Sequence, residues 1–204
     1  FYDIQSDQND GVNVIINELD HTLLQNVPIV TMRLSGMGGK QVTEILADTN
    51  RTARRWALQR EYRSTYRDQL IDTETLTEGE FIPEYLLDLG NLSASLVPIT
   101  VSSDLMDDLD ASVGDTLVWN VQGIEISSYI SGIREVNWDE PQPNFFVVFP
   151  NGVLNYAPQF FATTVRSPSR SEALVLQQRI VQQYPNISAL DIGLLIESFR
   201  DFLN

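Results

Sequence analysis

The chain has 204 residues, 43% of them hydrophobic, and its 28 acidic against 13 basic residues give a net charge of −15. That apolar share supports a real core in one large or two small domains and argues against general disorder. So acidic a chain repels phosphate backbones, which sets nucleic acid aside as a partner, and the lack of cysteine excludes disulfides, thiolate metal sites and cysteine nucleophiles.

Phe1 to Gln5 reads as a strand. Asp7 or Asn9 is placed to cap a helix over roughly 10–25, where Val12, Ile15, Ile16, Leu19, Leu23 and Leu24 recur at helical spacing. Pro28 separates that helix from a second strand, Ile29 to Leu34, which completes a β-α-β unit. Ser35 to Lys40 is a flexible turn. From there to about residue 70 the pattern fits a strand (Trp56, Leu58, Arg60 and Tyr62 alternate) as well as a helix (Arg51, Arg54, Arg55). Residues 71–92 read as loop with a turn at Gly79, then an apolar surface segment at Phe81, Ile82, Tyr85 and Leu86.

Ile99 to Val101 is a short strand, and Ser102 or Ser103 caps a helix with Leu105, Met106 and Leu109 that ends near Gly114. Period-2 runs follow: Thr116 to Val121, a turn at Gln122-Gly123, Ile124 to Ile130, and Ile133 to Val136. Phe145 to Phe149 and Phe160 to Val165 are strands. Ser169 or Ser171 caps a helix carrying Leu174, Leu176, Ile180 and Val181, which Pro185-Asn186 breaks. Ile187 to Ile192 reads as a strand, and Leu194 to Leu203 as a final amphipathic helix that packs on the core or serves as a stalk. No run reaches the ~18 apolar residues of a membrane span, and no signal peptide is visible. The opening at Phe1 inside a strand-like run and the close inside an amphipathic pattern read as an excised, soluble piece of a longer chain whose flanks hold membrane helices.

Motifs for chemistry fail on inspection. Gly36 to Lys40 lacks the first glycine of a phosphate loop, where Leu34 stands, and Gln41 follows the lysine. Asp104, Asp107, Asp108, Asp110 and Asp115 do not form a calcium loop, because Val113 and Trp119 occupy its glycine and glutamate positions; they read as a solvated helix face. His21, the single histidine, reads as surface on the polar side of the first helix. No catalytic residue, cofactor site or metal site is assigned, although paired carboxylates leave a soluble hydrolase as an alternative. Arg51, Arg54, Arg55, Arg60, Arg63 and Arg67 crowd one segment. Internal pairing with surplus carboxylates is the expectation, with Arg51, Arg54 and Arg55 as a candidate partner surface.

The stretch from Gly132 to Val153, GIREVNWDEPQPNFFVVFPNGV, resembles a tract of the extracytoplasmic domains of FtsX-like (MacB-like) ABC transporter permeases. Its hallmark residues here are Trp138, Pro143, Asn144, Phe145, Phe146, Phe149, Pro150 and Gly152. Phe1 to Gln8, Val27 to Leu34, Gln59 to Tyr66, Glu78-Gly79, Gly114 to Thr116 and Tyr184 to Ile192 resemble further family segments in family order. Ser102-Ser103-Asp104 and Phe81-Ile82 depart from it. The nearest likeness is to the second such domain of the long two-domain permeases.

The resemblance implies an α+β fold with a MacB-like periplasmic core. Membrane-proximal β-α-β units from both chain ends (1–34 and 157–204, porter-like) would carry a β-rich outer lobe (35–156, sabre-like). It implies a non-enzymatic domain outside the bacterial cell membrane, in the periplasm, that couples a separate cytoplasmic ATPase subunit to work on a lipid, lipoprotein or periplasmic enzyme partner. A ligand-binding sensor domain is the other alternative. The hallmark tract is expected to be a packed junction between the two lobes.

Overall fold

The computed structural model describes residues 1–88, 90, 95–139 and 142–192. Along the chain run β1 (Ile4–Gln5), α1 (Asn9–Glu18), β2 (Thr22–Met37), β3 (Lys40–Gln41), α2 (Val42–Ala47), α3 (Arg55–Gln59), β4 (Glu61–Tyr66) and β5 (Glu74–Gly79). Then come β6 (Val97–Ser102), α4 (Ser103–Leu109), β7 (Thr116–Val121), β8 (Ile124–Val136), β9 (Val147–Phe149), β10 (Phe160–Arg166) and α5 (Arg170–Gln183). The fold is mixed α and β, with strands dominant. It divides into two compact units. The first comprises Phe1–Pro28, Pro141–Pro143 and the chain from Gln159 onward, and the second Ile29–Glu140 and Asn144–Pro158.

In the first unit, α1 buries Val12, Ile15 and Ile16 with Ile4, Ile187 and, from α5, Leu176 and Ile180. Burial of these side chains stabilises the unit by roughly 1.5–3 kcal/mol each. The helix is shorter than the apolar spacing suggests. Asp20 turns left-handed at φ 57°, the His21 amide donates to the Ile16 carbonyl at 3.1 Å and the Asp20 amide to Asn17 at 3.1 Å. That is a Schellman stop with aspartate in place of the usual glycine. Leu23 and Leu24 therefore belong to β2, half-exposed, and not to the helix. The N-cap is Gln8, so neither Asp7 nor Asn9 caps the helix. β1 pairs antiparallel with β10, Ile4 opposite Phe161. Ser188 makes an isolated bridge to Tyr2 where a strand over 187–192 was expected. Ser169 caps α5 as read, accepting from the Glu172 amide at 3.3 Å. Leu174 of that helix is exposed while Leu176 and Ile180 are buried. The expected final helix, Leu194 to Leu203, lies outside the described residues.

The second unit is a strand ring. The Ile29–Met37 part of β2 pairs with β4 (Val30 opposite Ser64), β4 with β9 (Thr65 opposite Val148) and β9 with β6 (Val101 opposite Val147). β6 then pairs with β8 (Ile99 opposite Ile130), β8 with β7 (Trp119 opposite Ile126), and β7 returns to β2 (Leu34 opposite Trp119). Closing a sheet in this way removes its edges and gives a small barrel an interior filled by side chains. Tyr62 of β4, Trp119 of β7 and Phe149 of β9 meet there edge to face, with ring centroids 5.2 and 6.4 Å apart.

Several expectations change in this unit. Residues 55–62 are neither one strand nor one helix: α3 ends at Gln59 and β4 starts at Glu61. The expected loop over 71–92 contains β5, which pairs antiparallel with β8 beyond the stretch used by β7. Gly79 ends β5 at φ 72°, and a Cβ there would stand 2.1 Å from the Ser131 carbonyl oxygen, so the crossing of the two backbones requires glycine. The helix capped by Ser102 stops at Leu109, short of Gly114, because Asp110 turns left-handed at φ 53°. The Gln122-Gly123 turn closes a hairpin as read, whereas the turn expected over Ser35 to Lys40 narrows to Gly38-Gly39, because Ser35 to Met37 continue β2 and Lys40 opens β3; all four turn residues have positive φ.

Candidate functional site

Even-numbered residues of β8 from Ile126 to Val136 face inward, and this parity places Arg134 inside. It is fully buried. Its Nε donates to Thr100 Oγ1 of β6 at 3.0 Å, and one terminal nitrogen donates to the carbonyls of Phe145 and Phe146 at 3.0 and 3.3 Å. The other terminal nitrogen donates to the Glu74 carboxylate, and Arg67 donates to the same oxygen. Burial pulls the Arg134 pKa down to about 10, with Glu74 pulling it back up and Arg67 adding to the fall. Arg134 is therefore charged at neutral pH. Two guanidiniums on one carboxylate form a buried cluster with an excess positive charge, which pins the chain at 145–146 to β5 and β6.

The pinned segment presents Phe146. Its ring packs at a tilt against Trp138 and Trp56, with centroids 4.9 and 6.0 Å away, and the Arg60 guanidinium lies 4.7 Å from its centre. Arg60 also stands 5.2 Å from the rings of Trp56 and Tyr62. Trp138 is fixed from the other end by an Nε1–H bond of 2.7 Å to Asp104. Trp56 and Trp138 are 39% and 40% exposed, so this is a preformed surface of rings and not core. Beside it opens a cleft of about 460 Å³, lined by Trp138 together with Asp72, Thr73, Thr75, Glu135, Val136, Asn137 and Asp139.

The other hallmark residues have separate jobs. Asn144 accepts from Thr73 at 2.9 Å and donates to the Asn137 carbonyl at 3.1 Å. Phe145, Phe149 and Pro150 are buried. Gly152 adopts φ 95° and lies so close to the Tyr85 carbonyl that a Cβ would stand 2.4 Å from it. Pro143 groups with the first unit. The three arginines read as a partner surface have different surroundings. Arg54 pairs with Asp108 at 2.8 Å, Arg51 donates to the carbonyls of Leu46 and Asp48 at 3.5 and 3.3 Å, and Arg55 is exposed. Asp104 and Asp108 therefore have specific partners within the acidic run. His21 is a correction: it lies past the end of α1, and it is buried.

Glu74 and Arg134 have no assignment at the level of sequence, while Arg60 and Arg67 enter only as members of the arginine-rich segment expected to pair internally, as Arg67 does with Glu74. The one available signal was Arg134 itself, a charge on the inward parity of a strand flanked by Ile130 and Val136.

Among the described residues no helix is long and apolar enough to cross a membrane, and no group of three or more His, Asp or Glu could hold a metal ion. No family model matches the chain. Its sequence is similar to that of an ABC transporter permease. The relative is the uncharacterized ABC transporter permease YbbP of Escherichia coli strain K12, 27% identical over 170 residues. The aligned part is 83% of this chain but 18% of the relative, so the chain spans less than a fifth of that permease. Among solved structures, a domain ascribed to a permease protein of Porphyromonas gingivalis aligns with a TM-score of 0.38 at 10% identity, over 81% of this chain and 74% of that one.

Proposed function

We propose that the chain is a non-catalytic extracytoplasmic domain of an FtsX-like (MacB-like) ABC transporter permease, in the position of the second such domain. The observation that carries this reading is the similarity to an ABC transporter permease along 83% of the chain. In this reading a cytoplasmic ATPase drives the permease, and the domain converts its cycle into mechanical work on a lipid, lipoprotein or protein partner outside the bacterial membrane. In this reading the chain ends, 1–34 and 157–204, form the membrane-proximal lobe and 35–156 the outer lobe; the two compact units divide the chain near these bounds, between Pro28 and Ile29 and between Pro158 and Gln159.

The experiment replaces this domain by a short flexible linker in the intact permease. Copurification with the ATPase and ATP turnover in lipid nanodiscs should persist, while the phenotype of a strain lacking the permease should not be complemented. Full complementation by the truncated permease would overturn the proposal.

A further inference from the structure

We propose that the outer edge of β5, together with the cleft formed by the start of β5 and the end of β8, takes an extended basic segment of a partner protein as an added strand. The strand ring of the second unit leaves its members paired on both sides, but β5 stands outside that ring and is held by β8. Among the described residues no strand occupies the other side of β5. Thr75, Thr77 and Glu78 along it are exposed. An unpaired strand edge offers N–H and C=O groups at the spacing an incoming strand needs.

The chemistry of the cleft selects the occupant. Asp72, Glu135 and Asp139 line it, and none of its lining residues is basic. Other carboxylates of this unit, such as Glu61, Glu74 and Asp108, have arginine partners, whereas among the described residues none of these three is in an ion pair. Trp138 forms part of the wall, held by Asp104 and Phe146 before anything binds. A ring fixed in advance offers its face to a lysine or arginine at little entropic cost. Charge complementarity thus favours a cationic occupant, and the free edge favours an extended one. Alternate side chains of an added strand lie on one face, so a Lys-x-Lys spacing brings successive cations over the cleft. This inference does not rest on the transport reading, and its test uses the chain alone, so either can fail without the other.

The probe is a capped peptide of about ten residues alternating Lys and Thr, titrated at physiological salt into the ¹⁵N-labelled chain and followed by amide shifts. Shifts should saturate and concentrate in 72–79 and 134–139. N-methylation of alternate peptide residues should weaken binding about tenfold or more, because the backbone pairing is lost. The variant D72N/E135Q/D139N should weaken it about tenfold, and the charge-matched control D7N/D10N/E18Q on exposed positions less than about twofold. Three outcomes would overturn the proposal: no saturable shifts, equal binding of the N-methylated peptide, or equal weakening by the control. The last two would reduce the effect to a general attraction of an acidic chain for any polycation.

Discussion

Glu74→Gln tests the buried charge cluster. The substitution keeps the side-chain shape and removes the one negative charge on which two guanidiniums converge. Arg134 has a side-chain exposure of 0% and Arg67 of 13%, so water cannot replace the lost counter-charge at Arg134. Removing one partner of a buried ion pair costs about 3–5 kcal/mol, and that is the expected loss. Arg134→Met should cost a similar amount for a different reason: Thr100 and the carbonyls of Phe145 and Phe146 lose their donor. The double variant E74Q/R134M should cost less than the sum of the two by about 1–3 kcal/mol, because Arg67 has some access to solvent and the stranded charge is gone. Urea unfolding followed by tryptophan fluorescence is the suitable assay. The three tryptophans, Trp56, Trp119 and Trp138, all lie in the second unit, so the signal reports that unit alone. A loss under about 1 kcal/mol for E74Q, or strict additivity in the double variant, would refute the account of the cluster.

Three further outcomes are expected. Phe149→Ala should cost about 3–5 kcal/mol and Phe146→Ala about 1–2, since Phe149 is fully buried and Phe146 half-buried; equal costs in urea unfolding would contradict this division. Tyr62 donates its hydroxyl to the Ala57 carbonyl at 2.5 Å, and burial raises its pKa well above the ordinary phenol value, with Arg60 opposing and Asp108 adding. A raised folded pKa means that this contribution is intact below the unfolded value of about 10 and falls above it by up to about 1.4 kcal/mol per pH unit. Tyr62→Phe should therefore flatten the alkaline fall in the stability of the second unit, and an unchanged slope between pH 9 and about 11 would count against it. Finally, Tyr156 is 88% exposed and the chain has no cysteine. Tyr156→Cys in an intact permease stripped of other cysteines should react with a membrane-impermeant maleimide on whole cells, and labelling only after lysis would place the domain on the other side.

The β7–β8 hairpin was legible, because Thr116 to Val121 and Ile124 to Ile130 alternate and their turn carries Gln122-Gly123; that Ile133 to Val136 continues the same strand was not, and β4 lay in a stretch whose pattern fitted a helix as well. Two elements misled for physical reasons. The helix over 9–18 had six apolar residues at helical spacing through Leu24, but the backbone reversal at Asp20 depends on a local hydrogen-bond pattern that aspartate does not advertise. β5, whose sequence is Glu-Thr-Leu-Thr-Glu-Gly, carries the polar composition of an outer strand and so resembled a loop. The charge cluster was illegible because its members come from β5, β8 and the residue after β4, brought together by strand register and not by spacing. Trp138 and Phe146 were singled out for their family resemblance. That they form a surface with Arg60 depends on α3, which alternation had mimicked as a strand.

The brevity of β9 bears on how the second unit assembles. Its three residues, Val147 to Phe149, fill the gap between β4 and β6 and are made after both. Until they arrive, β4 and β6 each present a bare edge flanked by apolar side chains, and the ring cannot close. The hairpin of β7 and β8 can form locally on a microsecond scale of roughly 1–10 μs, but the slot must wait for a segment distant in sequence. A nascent or truncated chain ending before Val147 would therefore carry two open edges, the kind of intermediate that captures neighbours or calls for a chaperone.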